Sequence, residues 1–300
     1  MLATLGALPT GGGWAYEYKW DGVRAVVYVA GDDVRILSRN ERDVTASYPD
    51  IVDAVRGSGR LILDGEIVAP DARGRPSFSR LQRRMNVHQP SAELIAGTPL
   101  HYNVFDLLGQ DEVSLLAEPY TARRARLESL TGFQVTTSFV ADTPDAVVEE
   151  SRRLGLEGVV AKRLDSPYEP GRRSPYWIKA PFIRTQEVVI LGFKEGEGRR
   201  AGTIGALLVG LYRGEKLSFA GGVGTGFTDA ALHALQSQLT PLVTDRPAAD
   251  DVPRRDAKGA IWVSPTVVGE VEYRSFTDDG RLRHSSWRGL RPDRRPDEAR

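Results

Sequence analysis

Near residue 183 the chain changes texture, and no other feature limits its fold as much. Before that point strand and helix patterns alternate. Residues 25–30 and 34–37 read as a hairpin turning at Gly31-Asp32, while 61–68 and 102–108 read as apolar strands. Thr143-Pro144-Asp145 opens a helix that Gly155 stops, and 158–163 returns to strand. Beyond residue 183, short strands at 187–194, 203–212, 216–223 and 267–276 are separated by glycine-rich turns, with one amphipathic helix at 228–239. Several strands and a single helix in roughly 110 residues predict a small β-barrel. A length of 300 residues suffices for two such domains. Residues 291–300, rich in proline and charge, predict a mobile tail.

Composition narrows the chemistry. The apolar and charged fractions, 41% and 27%, are those of a soluble globular protein. No apolar run approaches the ~20 residues that span a bilayer, and residues 1–13 lack the pattern of a signal peptide; a cytoplasmic protein is expected. Cysteine is absent, which removes disulfides, thiol nucleophiles and thiolate zinc sites. The four histidines, His88, His101, His233 and His284, are scattered. A metal would therefore be held by oxygen, as Mg²⁺ or Mn²⁺ with bound phosphates. Formal net charge is zero, yet basic residues cluster at Arg80, Arg83 and Arg84, at Arg172 and Arg173, and along 281–295.

The segment Tyr18-Lys19-Trp20-Asp21-Gly22-Val23-Arg24 stands just ahead of an apolar strand. A K-x-D-G match alone recurs by chance in on the order of one chain in ten of this length. Company in a fixed order gives it weight. Ser38-Arg39-Asn40 follows the hairpin, and Leu63-Asp64-Gly65-Glu66-Ile67-Val68 sets two carboxylates in an otherwise core-like strand. Tyr102-Asn103-Val104-Phe105-Asp106-Leu107-Leu108, Glu157-Gly158-Val159-Val160-Ala161-Lys162 and Trp177-Ile178-Lys179 come next.

This ordered set resembles the motifs of the covalent nucleotidyltransferases, and most of all the ligase domain of bacterial non-homologous end-joining DNA ligases. Ser77-Phe78-Ser79, the segment from Tyr168 to Ser174 and Ser286-Trp287-Arg288-Gly289-Leu290-Arg291 extend the likeness over nearly the whole chain. The resemblance implies an α+β nucleotidyltransferase (adenylation) domain with mixed and antiparallel sheets at 1–183. An all-β OB-fold barrel at 184–290 and a basic C-terminal motif at 291–300 would follow. It implies ATP as cofactor with Mg²⁺ or Mn²⁺, and Lys19 as the residue that becomes lysyl-AMP. Glu17, with the main chain at Tyr18, would read the adenine, and Phe105 would stack on it. Arg24, Arg39 and Glu66 would hold the ribose and neighbouring phosphate, with Lys162 and Lys179 on the α-phosphate. Glu157 is the leading expected metal ligand, with Asp21 and Glu66 beside it, and Asp21 would also act close to the reaction centre. Arg291 and Asp293 would orient pyrophosphate. Arg80, Arg83, Arg84 and Arg173 are the expected DNA contacts.

The chemistry is consistent with those roles. A lysine amine with a pKa near 10.4 is almost fully protonated at neutral pH. Neighbouring cations such as Lys162, Lys179 and Arg24, together with a metal, favour the free amine and neutralise the triphosphate. The reaction is in-line displacement at the α-phosphorus, driven by positioning and charge stabilisation.

Two positions leave the family pattern: Glu41 stands where glycine is usual, and Pro181 where Trp-x-Lys normally continues to a second lysine. The implied function is sealing of nicks and breaks in duplex DNA in end joining, by a monomer working at the nucleoid. Ku and polymerase or nuclease modules are the implied partners. Competing expectations are an RNA ligase or capping-type enzyme, and a nucleic-acid-binding homologue of weakened activity.

Overall fold

The computed structural model describes residues 1–277 and 279–300. The chain forms two compact units, Met1–Pro181 and Phe182–Arg300. Among the described residues no helix is long and apolar enough to cross a membrane.

The first unit is built on two sheets. One contains, in order, β4 (Asp33–Ser38), β3 (Val23–Ala30), β5 (Arg60–Val68), β6 (His101–Gln110) and β7 (Val113–Ser114), with β8 (Gln134–Val135) parallel to β6. Gly31, at φ 64°, makes the β3–β4 turn. One face of this sheet carries Val27, Leu63, Ile67 and Val104. They pack with Ile51 and Val55 of α1 (Pro49–Val55), Leu81 of α2 (Phe78–Gln82) and Leu127 of α4 (Tyr120–Ser129). A third short helix, α3 (Ala92–Gly97), completes this half. The other sheet runs β1 (Leu2–Leu5), β11 (Arg173–Pro181), β10 (Gly158–Arg163), β2 (Trp14–Lys19) and β9 (Ser138–Val140). Its helix α5 (Asp145–Arg153) is tied to β10 by Ser151 Oγ donating to Gly158 O at 3.0 Å.

Two motif glycines are explained by close approach. A Cβ on Gly22 would collide with Ile67 O, and one on Gly158 would collide with Ala180 O and stand 2.7 Å from Pro181 Cα. Strand contacts at those points exist only because a side chain is missing.

In the second unit β12 (Arg184–Glu195) is long enough to serve two partners along one edge. Residues Arg184 to Val189 pair with β17 (Val268–Tyr273), and Gly192 to Lys194 pair with β16 (Ala260–Val263). Its other edge pairs with β13 (Ile204–Arg213), which continues to β14 (Lys216–Val223). β15 (Val243–Thr244) adds to β16, and β20 (Ser286–Leu290) to β17. The helix α6 (Asp229–Leu239) is capped by Thr228, whose hydroxyl accepts from Ala231 N at 3.1 Å, and it buries Leu232, Leu235 and Leu239. A four-residue helix α7 (Arg254–Ala257) and the two-residue ladder of β18 (Ser275–Phe276) with β19 (Leu282–Arg283) lie outside the main sheet. The barrel is only partly closed. Among the described residues no ladder joins β14 to β20; single bonds join the segments at their ends, Trp287 N to Thr225 O at 2.9 Å and Ser285 Oγ to Gly222 O at 3.1 Å.

The expected mobile tail at 291–300 is instead anchored to the second unit at two points, with 292–295 exposed between them. Ala299 is buried, Tyr212 N donates to Ala299 O at 2.7 Å, and Arg291 bonds Glu187 at 3.1 Å and Glu270 at 2.9 Å. Arg291 and Arg294 find carboxylates on β12 and β17, while Arg295 pairs with Asp297 and Glu298 inside the segment.

Candidate active site

Strand period and register assemble the site. Glu17 and Lys19 on β2, Val160 and Lys162 on β10, and Trp177 and Lys179 on β11 are each two residues apart, so each pair shares a face. Register sets Glu17 opposite Val160, Val160 opposite Lys179, and Lys162 opposite Trp177. Together with Arg24, Glu66 and Phe105 from the other sheet, and with Tyr18, Arg39 and Arg173, these side chains line one cleft of about 240 Å³.

Lys19 ends β2 directly opposite Gly158, and Glu157 N donates to Lys19 O at 3.2 Å. The pairing of these two motifs brings the Lys19 ammonium into an ion pair with the Glu157 carboxylate at the cleft. Lys162 is buried: its Nζ donates to Glu17 Oε2 at 2.9 Å and to Phe105 O at 2.7 Å. The same ammonium lies 4.3 Å from the Trp177 ring centre. Burial lowers the Lys162 pKa and Glu17 opposes that shift.

Phe105 reaches the cleft through a β-bulge. In the β5–β6 ladder Asp64 pairs with Asp106 and Gly65 with Val104, so Phe105 has no opposite number. Its carbonyl serves Lys162, and its ring meets Trp177 edge-on at 5.9 Å. Arg24 lies opposite Glu66 in register, but its guanidinium bonds the buried Asp64 twice, at 3.0 and 2.6 Å. Tyr168 OH donates to the same carboxylate at 2.8 Å. Arg24 is thus an oriented donor with a balanced charge rather than a free cation. Burial pushes the Glu66 carboxyl up to about 8, against the pull of Lys19 and Arg24.

Several expected residues are placed differently. Among the described residues no group of three or more carboxylates or histidines stands ready to hold a metal by itself. Asp21 is not among the residues lining the cleft. The Glu17 carboxylate is turned toward protein, taking Tyr120 OH at 2.5 Å as well as Lys162. Of the expected DNA contacts, Arg84 is buried, bonding Asp50 at 2.8 Å and Thr98 O at 3.0 Å. Arg83 is exposed; Arg80 is half-buried and donates to Gly97 O at 3.1 Å. Arg173 is exposed at the cleft and donates to Ala3 O at 2.5 Å. Arg291 and Asp293 belong to the second unit, where they pair with each other at 2.9 and 2.8 Å.

The two departures from the motif pattern have physical counterparts. Glu41 sits at φ 59°, the left-handed region that favours glycine. Pro181 ends β11 opposite Gly158, where it brings backbone contact and no charge. Sequence reasoning missed Tyr120, Arg123 and Arg124, which no motif contains. Their only signal is Pro119 ahead of a run of helix formers.

Comparison with known proteins agrees with this geometry. The family described as ATP dependent DNA ligase domain matches residues 6–180, and that described as ATP dependent DNA ligase C terminal region matches 200–294. The chain is 44% identical over 306 residues to the multifunctional non-homologous end joining protein LigD of Mycolicibacterium smegmatis, covering 99% of this chain and 39% of that protein. It is similar to the crystal structure of the ligase domain from M. tuberculosis LigD, with a TM-score of 0.57 and 42% identity over 100% of this chain and 96% of that one. A mycobacterial DNA ligase D complexed with ATP and MES matches with a TM-score of 0.56 and 41% identity, over the same shares of the two chains.

Proposed function

The chain belongs to the ATP-dependent DNA ligase family, and from that premise we propose that it seals nicks and breaks in duplex DNA through a lysyl-AMP on Lys19. The observation that carries the reading is the juxtaposition of Lys19 with Glu157 in a cleft whose same wall presents Lys162 and Lys179. In the first step Lys19 Nζ, having given up its proton, attacks the α-phosphorus of ATP. An N–P bond forms as the P–O bond to pyrophosphate breaks. Lys162 and Lys179 stabilise the charge that builds on the phosphate, and Arg24 and Glu66 orient the ribose side. Phe105 stacks on the purine. Because the Glu17 carboxylate is engaged with protein, recognition of the adenine edge falls to the β2 main chain beside it. A 5′-phosphate oxygen then displaces lysine to give a DNA-adenylate, and the 3′-hydroxyl displaces AMP.

The donor set fits a magnesium-type ion that takes most of its ligands from phosphate and water. Glu157 would hold such an ion, Mg²⁺ or Mn²⁺, and the ion would neutralise the triphosphate. Arg291 and Asp293 serve pyrophosphate departure, and Arg80, Arg83 and Arg173 contact DNA phosphates.

Since the chain spans 39% of the LigD relative, the wider biology is an extension of this reading. A monomer acts in end joining on cytoplasmic, nucleoid DNA, alongside Ku and polymerase or nuclease modules. The test is joining of a nicked duplex bearing a 5′-phosphate. Sealing with ATP and not with GTP supports the reading; transfer of GMP to RNA ends contradicts it and favours the capping alternative.

A further inference from the structure

The helix α4 presents Tyr120, Arg123 and Arg124 on one face, at spacings of three and four residues, and all three are buried. Two arginines on the buried side of a helix are costly to desolvate unless each is matched. Each is matched to a strand that walls the cleft. Arg123 grips Asp106 twice, at 2.8 and 3.0 Å, and so fixes β6 at the residue after Phe105. Tyr120 OH donates to Glu17 Oε1 at 2.5 Å and shares a 2.9 Å bond with Ser138 Oγ. Arg124 donates to Thr136 O at 2.6 Å and to Glu128 at 2.7 Å. Its Nη1, buried without a hydrogen-bond partner, stands 3.6 Å from Glu17 Oε1.

The two acceptors that hold Lys162 are Glu17 Oε2 and Phe105 O. Both are anchored from behind by this one helix. We propose that Tyr120 and Arg124 are positioning residues that act through Glu17 to fix the Lys162 ammonium at the α-phosphate during self-adenylylation. The inference rests on the function proposed above, in which Lys162 touches that phosphate. Without the helix, Lys162 would be drawn to a carboxylate with freedom to move. Its charge would then be aimed less well at the transition state, though its attraction for bound ATP would persist.

Tyr120→Phe removes one hydroxyl and keeps the ring, which lies 5.2 Å from the Lys162 ammonium. Single-turnover adenylylation by this variant should slow by on the order of tenfold, with KM for ATP little changed and the melting temperature lowered by no more than the loss of one buried hydrogen bond entails. Joining of an already adenylylated nick should slow less. Arg124→Lys should keep more of the first step than Arg124→Gln. Lys162→Met, measured in parallel, separates the two layers of the argument. If Lys162→Met adenylylates at the normal rate, the assignment of Lys162 falls and this inference with it. If Lys162→Met is slow while Tyr120→Phe and Arg124→Gln adenylylate normally, the inference alone is overturned. Equal loss in both chemical steps, tracking a lowered melting temperature, would also overturn it, since α4 would then be a stability element only.

Discussion

At the scale of single residues, the sequence shows where charge lies but not which way it points. Arg83 and Arg84 read alike as neighbours in a basic cluster, yet Arg83 faces solvent and Arg84 is buried against Asp50. Arg84→Ala should therefore cost roughly 1–3 kcal/mol of stability, because it leaves the buried acceptor Thr98 O without its donor and half-buried Asp50 without its cation. Arg83→Ala should leave stability unchanged and weaken DNA binding; denaturant titration beside a binding isotherm separates the two. Glu66 offers a second residue-level prediction. Its carboxyl is raised to about 8 in the fold, so the folded state holds the proton that the unfolded chain has released. Its favourable contribution is present below the ordinary glutamate range and is lost as pH rises toward 8. Glu66→Gln, which cannot ionise, should gain stability relative to the parent between pH 5 and pH 9. Denaturation midpoints that shift equally at both pH values would contradict this. Lys19, Lys162, Glu157 and Phe105 were legible as a set because their motifs are local. The contacts that orient Arg24 and Glu17 beside them, from Asp64 and Tyr168 and from Tyr120 and Arg124, join remote segments, and no local pattern records such pairings.

At the scale of elements, β-strand period did most of the predictive work. Alternation on β2, β10 and β11 puts the motif lysines on one face, so the cleft wall is close to readable before any coordinates. The bulge that frees Phe105 was not readable, since it arises from a mismatch between β5 and β6 and not from either strand alone. Nor were the short helices α1 and α2, which are held by packing of Ile51, Val55 and Leu81 more than by propensity. The C-terminal segment was misjudged for a related reason: proline and charge suggested solvent, but Glu187 and Glu270 supply partners. If Arg291 and Asp293 serve pyrophosphate departure, replacing both with alanine should block adenylylation by ATP. Sealing of a nick that already carries AMP should survive. Equal loss of the two activities would assign the segment to DNA binding or to stability instead.

At the scale of the whole molecule, a formal net charge of zero means that duplex binding depends on local patches rather than on bulk attraction. Of the four expected DNA contacts, Arg83 and Arg173 are the exposed ones. Affinity for nicked duplex should fall with salt, with a log–log slope of roughly 0.9 per phosphate neutralised. Arg83→Ala and Arg173→Ala should each reduce that slope, whereas a binding curve flat from low to physiological salt would argue against a DNA clamp. The three-step chemistry presupposes one event, the transfer of AMP to Lys19. The most direct measurement is incubation of the protein with α-labelled ATP and a divalent metal, followed by mapping of the label. The account predicts one AMP on Lys19, released by acid, and no adduct with Lys19→Ala or with Lys19→Arg, whose guanidinium stays protonated and cannot attack. Label that persists in the alanine variant, or maps to any other residue, would contradict it.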